Sequence, residues 1–434
     1  MKFIPDPKIQ FGTAGQIRAF QEERLAETVE YLACNSAFYR RMFADKGIDP
    51  HSIRKTEDLL SLPLTSKDDL QRYSEDFICV PKDSIVDYVT TSGTLGDPVT
   101  FALTDADLER LAYNEWLSFS TSGCTGSDIM QLMTTIDRRF MAGLAYFLGA
   151  RKMGMGVVRV GNGIPELQWD TIRRIRPDCC MVVPSFLMKL VQYAKENGID
   201  YRGSSLKKAI CIGEALRKPD TFGLSTLGER IHEVWPELEL YSTYASTEMQ
   251  SSFTECACHK GCHIPVDLII VELLDQEGNP VPDGEPGEVT ITTLGVEGMP
   301  LLRFRTGDIC IRYEGQCGCG RNSARMSSVI GRRSQMIKFK GTTLYPPALF
   351  DVLDNIPEIT NYIVEVYTND LGTDEVLVRI GCNDHSDAFL KKVKDMFRSR
   401  VRVAPSVSFE SIGYIAKLQM PPMSRKAVKF IDMR

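Results

Sequence analysis

The sequence predicts an α/β fold with two domains: a large N-terminal domain of layered β/α units that ends in a β subdomain, and a small α+β C-terminal domain. Short apolar strand-like runs alternate with amphipathic helical segments over the first half of the chain, which is typical of parallel β/α layers. Near Val266 the pattern changes to β runs separated by Gly/Pro turns, which indicates antiparallel pairing. A last segment mixes both patterns and forms the small domain.

The chain opens with predicted helices between Thr13 and Lys46, where apolar residues such as Leu25, Val29 and Leu32 recur at helical spacing. Amphipathic helices are then predicted from Asp105 to Ser120 and from Ser185 to Asn197. The short, mostly buried strands of the parallel layers are predicted in VDYVTTS, DIMQLMTT, GVVRVG, CCMVVP and KKAICIG.

The β subdomain is predicted over about residues 264–331, from the runs LIIVELLD, EVTITTL and LLRFRTGDICIRY. The segment GRRSQMIKFKG follows, and we place the domain boundary there, which gives domains of residues 1–331 and 332–434. The second domain is predicted as strand, helix, strand, strand, helix, strand. Because this domain is small and mixes helices with strands, we expect it to be a mobile lid.

Composition excludes several classes of protein. The chain has 434 residues, a formal net charge of -6 and a pI near 5.6, which argues against nucleic-acid binding through a basic surface. Neither a signal peptide nor a run of about 18 apolar residues is found, so we expect a cytoplasmic protein without a membrane partner. The 13 cysteines are an odd number in a long chain, which favours reduced thiols. A homodimer is the default expectation for a soluble enzyme.

The segment YVTTSGTLGDPVT, from Tyr88 to Thr100, carries the strongest local signal for phosphate binding. Its hydroxyls can donate hydrogen bonds, and its glycines let backbone N–H groups turn toward an anion. No Lys follows the second Gly, so this is not a Walker A motif. An ordinary turn between strands is the alternative. The candidate phosphate ligands are Thr91, Ser92, Gly93, Thr94 and Gly96.

Further segments fit a nucleotide site. In YSTYASTEMQ, Tyr244 could stack on a base, and Thr247 and Glu248 offer oxygen atoms to a phosphate-bound magnesium ion. In LLRFRTGD, Asp308 could accept hydrogen bonds from ribose hydroxyls. A polar strand end and an Asp in a turn are the respective alternatives.

Two basic residues complete this set. Arg332 lies at the presumed hinge, where its guanidinium could serve ribose or phosphate. Lys426 lies in the C-terminal tail, where a basic side chain is usually only solvated.

The order of these motifs resembles the adenylate-forming superfamily, and specifically its phenylacetate–coenzyme A ligase branch. The motifs are SGTLGDP, IGEAL, YASTE, RTGD, GRRSQMIKFKG and SRKAVKFID, and they span nearly the whole chain. The resemblance implies an ATP-dependent ligase that activates an aryl or arylacetic acid as acyl-AMP with release of pyrophosphate, and then transfers the acyl group to coenzyme A. The implied cofactors are ATP/AMP, Mg²⁺ and coenzyme A.

The resemblance also implies roles for individual residues. Thr91, Ser92, Gly93, Thr94 and Gly96 would surround the β and γ phosphates, and Glu248 would bind magnesium with Thr247 beside it. Adenine would lie along Gly213, Glu214 and Ala215 with Tyr244 against its face, and Asp308 with Arg332 would hold the ribose. Lys426 would be the lysine of the adenylation step.

The sequence departs from the family pattern at the hinge and beside the lysine. Ser334 and Gln335 stand where acidic residues are usual, and Arg425 replaces the Gly before Lys426, so Lys429 is the alternative lysine. Two other functions remain open: loading of a carrier protein, and nucleotide binding without turnover. The acid pocket is expected near PSFLMKL and YSTYASTE, where Phe140, Phe147 or Phe186 could face an aromatic ring or could equally be core.

Two short segments, ECACHKGCHIPVD and QCGCGR, hold five cysteines and two histidines. Thiols grouped in this way usually mark zinc, with unliganded thiols as the alternative. Some members of the resembled family carry cysteines and a histidine at positions that match Cys256, His263, Cys317 and Cys319, which implies that these four bind a structural zinc ion. Cys258, His259 and Cys262 are the substitutes.

Overall fold

A computed structural model of the chain describes residues 3–91, 98–340, 342–369, 373–420 and 427–434. Some of the predicted site residues lie outside this described part, namely Ser92, Gly93, Thr94, Gly96 and Lys426.

The chain divides into two compact units. The first consists of Met1–Leu224 and Gly228–Ser328, and the second of Val329–Arg434 together with Ser225–Leu227. The sequence-based boundary, between residues 331 and 332, stays a prediction.

In the described chain, strands and helices alternate between residues 100 and 246, and strands alone follow between residues 251 and 326. The helices are α1 (Ala14–Asn35), α2 (Ala37–Lys46), α3 (Lys67–Arg72), α4 (Asp105–Thr121), α5 (Met141–Met153), α6 (Pro165–Ile175), α7 (Pro184–Glu196) and α8 (Thr226–Val234). The strands are β1 (Ile85–Thr90), β2 (Thr100–Thr104), β3 (Ile129–Leu132), β4 (Gly156–Arg159), β5 (Cys179–Val182), β6 (Lys208–Cys211), β7 (Glu239–Ser246), β8 (Ser251–Glu255), β9 (Cys262–His263), β10 (Ile269–Leu274), β11 (Pro286–Thr293), β12 (Phe304–Tyr313) and β13 (Arg325–Met326).

The opening helices are confirmed. Thr13 and Gln16 form a capping box that satisfies backbone N–H groups at the start of α1. Leu25, Val29 and Leu32 lie on one face of α1 and are fully buried. The helical spacing of apolar residues therefore identified the face that packs into the core.

Most strands of the first unit join one sheet, in the order β10-β11-β12-β13-β9-β8-β7-β6-β5-β3-β4. Pairing is parallel from β4 to β7 and antiparallel from β7 to β10, which confirms the predicted change of pattern. The change comes at β8, earlier than Val266. Strand β7 takes part in both patterns, since its first residues pair with β6 and its last residues pair with β8.

The prediction that VDYVTTS belongs to the parallel layers is wrong. This segment forms β1, which pairs with β2 in a separate antiparallel sheet of two strands, with Tyr88 opposite Ala102 and Thr90 opposite Thr100. Parallel pairing of consecutive strands needs a crossover connection of about a dozen residues or more. The connection between β1 and β2 is too short for this, so the strands fold back on each other.

Helices α4 and α5 approach closely, at a point where a glycine faces a buried carboxyl group. A Cβ added to Gly149 would lie 2.3 Å from the Cβ of Glu115, so any side chain there would collide. One carboxyl oxygen of Glu115 accepts hydrogen bonds from the Asn114 amide at 2.9 Å and the Ser252 hydroxyl at 3.1 Å. Burial raises the pKa of Glu115 to about 8, against the effect of these two donors. Glu115 is therefore mainly protonated at neutral pH.

Replacing Glu115 by Gln is expected to flatten the pH dependence of stability. Because the folded-state pKa lies above the ordinary value of 4.5, the folded protein binds the proton more tightly than the unfolded chain. The contribution of Glu115 to the free energy of unfolding is complete below about pH 4.5. It is lost as the pH rises toward about pH 8, at up to about 1.4 kcal/mol per pH unit. Glu115→Gln should thus gain stability relative to the natural protein over this interval.

The measurement is urea unfolding at several pH values, followed by tryptophan fluorescence. Trp116, Trp169 and Trp235 all lie in the first unit and report on it. Glu30, which is exposed on α1, provides the control substitution Glu30→Gln. A stability difference between Glu115→Gln and the natural protein that stays constant with pH would contradict the assignment.

The second unit is a small α+β domain. Its helices are α9 (Pro346–Asp354), α10 (Asp387–Val401) and α11 (Ile412–Gln419). Its strands are β14 (Gly331–Arg332), β15 (Ile337–Phe339), β16 (Thr342–Leu344), β17 (Asn361–Thr368), β18 (Asp374–Gly381), β19 (Ser406–Glu410) and β20 (Phe430–Asp432). A four-stranded sheet in the order β19-β18-β17-β20 packs against a buried apolar core.

The predicted helices α9 and α10 and the strands β17, β18 and β20 are confirmed. The sequence analysis missed α11 and β19, which lie between α10 and the C-terminal strand. In the part of the chain that the structure describes, no helix combines the length and the apolar character that a membrane crossing requires.

Candidate active site and metal centre

The candidate active site of the first unit lies at the carboxyl ends of three neighbouring strands. Strands β5, β6 and β7 are adjacent and parallel, so the residues that follow them lie toward the same edge of the sheet. Ligands of open α/β sheets bind at this edge. Ser185 follows β5, the segment Gly213–Ala215 follows β6, and Thr247 with Glu248 follow β7.

The segment Gly213–Ala215 is exposed, between the buried strand β6 and the buried Leu216. Gly213 has a φ of 77°, a conformation that glycine adopts without steric cost. The Glu214 carboxylate accepts hydrogen bonds from the Ser185 N–H at 2.8 Å and the Ser185 hydroxyl at 2.9 Å. These bonds fix the segment to the first turn of α7.

Tyr244 and Asp308 meet within the first unit. The Tyr244 hydroxyl donates to Asp308 Oδ2 at 2.9 Å, and each residue is only 9% exposed. Phe253 packs edge-on against the Tyr244 ring, with 5.6 Å between ring centroids. Burial, followed by the charge of Asp308, raises the pKa of Tyr244 well above its usual range. The hydroxyl therefore stays protonated and holds the carboxylate in one orientation.

Thr247 and Glu248 lie in the turn that follows β7, and both are half-buried. Burial raises the pKa of Glu248, while hydrogen bonds and the positive charge of Lys67 act against this shift. The last residue of this turn, Gln250, has a φ of 47°, which is uncommon for a residue with a side chain. The buried Arg110 donates to the Gln250 carbonyl at 2.6 Å and thereby holds this turn.

Of the candidate phosphate loop, Thr91 is described. Its N–H donates to the Val99 carbonyl at 3.0 Å, and its hydroxyl oxygen accepts from the Val99 N–H, also at 3.0 Å. The other four predicted phosphate ligands lie outside the described residues. Thr91 and Val99 therefore fix the two ends of that segment.

In the second unit, Arg332 is half-buried at the end of β14. The alternative lysine, Lys429, is engaged within this unit. Its Nζ donates to the Tyr362 hydroxyl at 3.0 Å and lies 3.6 Å from Asp354 Oδ2. It also lies 4.9 Å from the centroid of the Tyr362 ring. Lys429, which directly precedes β20, therefore links the C-terminal segment to β17 and α9.

The structure brings together the four residues Cys256, His263, Cys317 and Cys319. Their ligand atoms all lie within 4.8 Å of one another. Cys256 Sγ lies 3.6 Å from Cys317 Sγ, and Cys319 Sγ lies 3.5 Å from His263 Nε2. Antiparallel pairing of β9 with β8 and β13 brings these distant sequence segments together.

This donor set fits a tetrahedral zinc ion. With Zn–S bonds of about 2.3 Å, two sulfur ligands of a tetrahedral site lie about 3.8 Å apart, which agrees with the separations found here. Burial, assisted by the charges of Arg321 and Arg325, lowers the pKa of His263 to about 3, so the imidazole is in its neutral, metal-binding form. His263 Nδ1 lies 3.1 Å from the Ser323 hydroxyl, which leaves Nε2 directed at the cluster.

The substitute ligands lie outside this cluster. His259 Nδ1 pairs with Glu255 at 2.5 Å, and the buried Cys262 thiol donates to the Ser242 carbonyl at 3.4 Å. Cys258 lies against Gly318, 3.1 Å from where a Cβ would stand on that glycine. The geometry therefore distinguishes the four clustered residues from the three substitutes, which the sequence spacing alone did not do.

Three residues of these sites were not predicted from the sequence: Lys67, whose charge acts on Glu248, Arg110, which donates to the same turn, and Ser323, which lies at the candidate metal-binding histidine. Lys67 and Arg110 act on segments more than a hundred residues away, and no local spacing encodes such a contact. For Ser323, the sequence offered one signal: it is a polar residue that closely follows Cys317-Gly-Cys319.

Comparison with known proteins identifies the family. A family model described as AMP-binding enzyme matches residues 20–298. A phenylacetate–coenzyme A ligase of Thermus thermophilus is 30% identical over 432 residues, covering 96% of this chain and 95% of the relative. A phenylacetate–coenzyme A ligase of Escherichia coli is 26% identical over 451 residues, covering 99% and 97%.

The fold agrees with a solved structure of the same architecture. The crystal structure of a 2-hydroxyisobutyryl-CoA ligase in its postadenylation state superposes with a TM-score of 0.84 at 21% identity, covering 100% of this chain and 94% of that one. The α/β fold class predicted from the sequence is thereby confirmed. The family model and the relatives that match over nearly their full length show that this chain belongs to the AMP-binding enzyme family, in its phenylacetate–coenzyme A ligase branch.

Proposed function

We propose that this chain is an ATP-dependent acid–coenzyme A ligase that acts on an aryl or arylacetic acid. It forms an acyl-AMP with release of pyrophosphate and then transfers the acyl group to the thiol of coenzyme A. The observation that carries the proposal is that Gly213–Ala215 and the Thr247–Glu248 turn follow the carboxyl ends of the neighbouring parallel strands β6 and β7, in a chain similar to phenylacetate–coenzyme A ligases over nearly its full length.

The chemistry requires little general base catalysis. A carboxylic acid is already ionised at neutral pH, since its pKa is about 4. The difficulty is repulsion between this carboxylate and the triphosphate, which positive charge at the reacting centre relieves. Glu248 would bind Mg²⁺ with Thr247 beside it, and a magnesium ion there would neutralise phosphate charge. Asp308, oriented by Tyr244, is suited to accept hydrogen bonds from ribose.

Lys426 supplies the positive charge at the α-phosphate in this proposal. The packing of Lys429 against Tyr362 and Asp354 favours Lys426 over the alternative, because Lys429 is already held within its own unit. The second unit, residues 332–434 in the sequence-based division, would act as the lid that carries Lys426. A cytoplasmic location and a homodimer stay predictions.

Phe140, Phe147 and Phe186 are the candidate residues for contact with an aromatic acid. Phe147 packs at the margin of a buried cluster around Met130 and Tyr146, and Arg159 lies 5.5 Å from the centroid of its ring. This environment is typical of core and weighs against a contact between Phe147 and an aromatic acid. We therefore assign the acid by class and not by name.

The test is pyrophosphate release from Mg-ATP with aryl, arylacetic and fatty acids, each with and without coenzyme A. Repeated turnover that depends on an aryl or arylacetic acid and on coenzyme A would support the proposal. Acid-dependent exchange that ignores free coenzyme A would favour loading of a carrier protein. ATP binding without pyrophosphate release from any acid would favour a nucleotide-binding relative without turnover.

A structural zinc ion at Cys256, His263, Cys317 and Cys319 is the second part of the proposal. The support is the set of ligand separations described above. Four protein ligands close a tetrahedral site and leave no position for substrate, so the role is structural. The ion would join the turn after β8 to the loop between β12 and β13.

The purified protein is expected to hold about one zinc ion per chain. Cys319→Ser should lose most of this zinc and melt at a lower temperature, because a ligand is removed and the remaining thiols lose their shared partner. Cys258→Ser is the matched control, since this thiol is close by but outside the cluster, and should keep the ion. Elemental analysis by mass spectrometry gives the metal content, and the reverse pattern in the two variants would move the site to the substitute ligands.

A further inference from the structure

Glu255, at the end of β8, is a buried carboxylate on which three chain segments converge. It has no solvent exposure. Arg217 Nε donates to both of its oxygens, at 2.5 and 2.8 Å. The Ser242 N–H of β7 donates to Oε2 at 2.9 Å, and His259 Nδ1 lies 2.5 Å from Oε1. A buried charge is stable only when it is paired and hydrogen-bonded, and Glu255 fulfils both conditions.

Arg217 extends this connection to the segment after β6. Its Nη2 donates to the Leu240 carbonyl of β7 at 3.2 Å, and its Nη1 donates to the Phe222 carbonyl at 3.3 Å. Its side chain is only 11% exposed. The planar guanidinium thus joins the chain after β6 to β7 and β8, with Glu255 as the acceptor that fixes its orientation.

The segment Gly213–Ala215 is therefore fixed on both sides. Within it, Glu214 binds Ser185 at the start of α7. Beyond it, Leu216 is buried and Arg217 binds Glu255. Between these two attachments the backbone stays exposed at the edge of the sheet where ligands of such folds bind. Its position depends on both attachments.

We propose that Glu255 is a positioning residue for nucleotide binding: through Arg217 it holds the exposed segment Gly213–Ala215 in the place where ATP contacts it. The inference rests on the proposed function, because it takes this segment as part of the nucleotide site. It adds a residue on β8 that does not itself touch the nucleotide.

The test measures the dissociation constant of ATP by calorimetry, and the KM for ATP and kcat by pyrophosphate release. Glu255→Gln is expected to raise the dissociation constant and the KM by about 10- to 100-fold, the usual effect of a small displacement of a binding group. At saturating ATP, kcat should change less than the KM. Arg217→Lys, which keeps the charge but loses the fork of donors, should act in the same direction and non-additively with Glu255→Gln.

Glu272→Gln is the matched control. Glu272 also forms a largely buried pair with an arginine, Arg303, at 2.8 and 3.1 Å, but in the antiparallel part of the sheet. The substitution Glu272→Gln should lower the melting temperature and leave ATP binding unchanged. Zinc content is measured in every variant, because Glu255 precedes Cys256.

Unchanged ATP affinity in Glu255→Gln and in Arg217→Lys would overturn the inference and leave a purely structural pair. An affinity loss that occurs only in variants that have also lost zinc would overturn it as well. Failure of the proposed function is distinguishable: a natural protein that binds ATP but releases no pyrophosphate would refute the ligase, while the dissociation constants would still decide the role of Glu255.

Discussion

Lys426→Ala is expected to lower acid-dependent pyrophosphate release by about 10²- to 10³-fold, the usual cost of removing one charge-stabilising group from a transition state. The reason is that carboxylate and α-phosphate are both negative, and the ammonium group relieves their repulsion as the bond forms. Since the charge matters chiefly in the transition state, kcat should fall and the KM for ATP should change little. Steady-state kinetics with the acid found in the substrate panel provides the measurement.

Lys429→Ala is the control for this experiment. Lys429 contacts Tyr362 and Asp354 inside the second unit, so its loss should lower thermal stability and leave most of the adenylation rate. If Lys429→Ala abolished pyrophosphate release and Lys426→Ala did not, the motif register would be wrong and the tail would place the other lysine at the phosphate.

Arg110→Met is expected to destabilise the first unit by about 3–5 kcal/mol. The Arg110 guanidinium is fully buried and donates to the carbonyls of Leu294, Gln250 and Leu268, at 2.7, 2.6 and 2.7 Å. Methionine fills a similar volume but donates nothing, so three buried carbonyls lose a donor at about 1–3 kcal/mol each. Because Gln250 belongs to the turn that carries Glu248, activity should fall together with stability.

The measurement is the urea midpoint of tryptophan fluorescence, since the three tryptophans report on the first unit. Arg173→Met is the control: Arg173 pairs with Asp170 at 2.7 Å, but its side chain is 71% exposed. Exposed pairs of this kind contribute up to about 1 kcal/mol. If Arg110→Met lowered the free energy of unfolding by as little as the control does, water would have to replace the lost donors.

Features of the fold that depend on local periodicity could be predicted from the sequence. Helical spacing identified α1 and its buried Leu25, and apolar runs identified the strands of the parallel layers. The errors have local causes. VDYVTTS has the composition of a core strand, but its partner depends on the length of the following connection. The missed helix α11 has only eight residues, too few for its periodicity to stand out.

The candidate sites also combine residues that could be predicted from the sequence with residues that could not. The cysteine spacing and the family resemblance led to the four residues that lie together in space, although the spacing alone left seven candidates. The charge of Lys67, which acts on Glu248, and the bond of Arg217 to Glu255 join segments whose proximity arises only when the sheet forms. No pattern within either segment encodes them.

Strand β7 makes the first unit difficult to divide. It provides the last strand of the parallel half and the first strand of the antiparallel half, so neither half ends in a natural edge there. A fragment that stopped after β7, or one that began at β8, would present a row of unpaired N–H and C=O groups. Such an edge readily pairs with other chains and promotes aggregation. The two halves are therefore expected to fold well only when they are expressed together, despite their different patterns in the sequence.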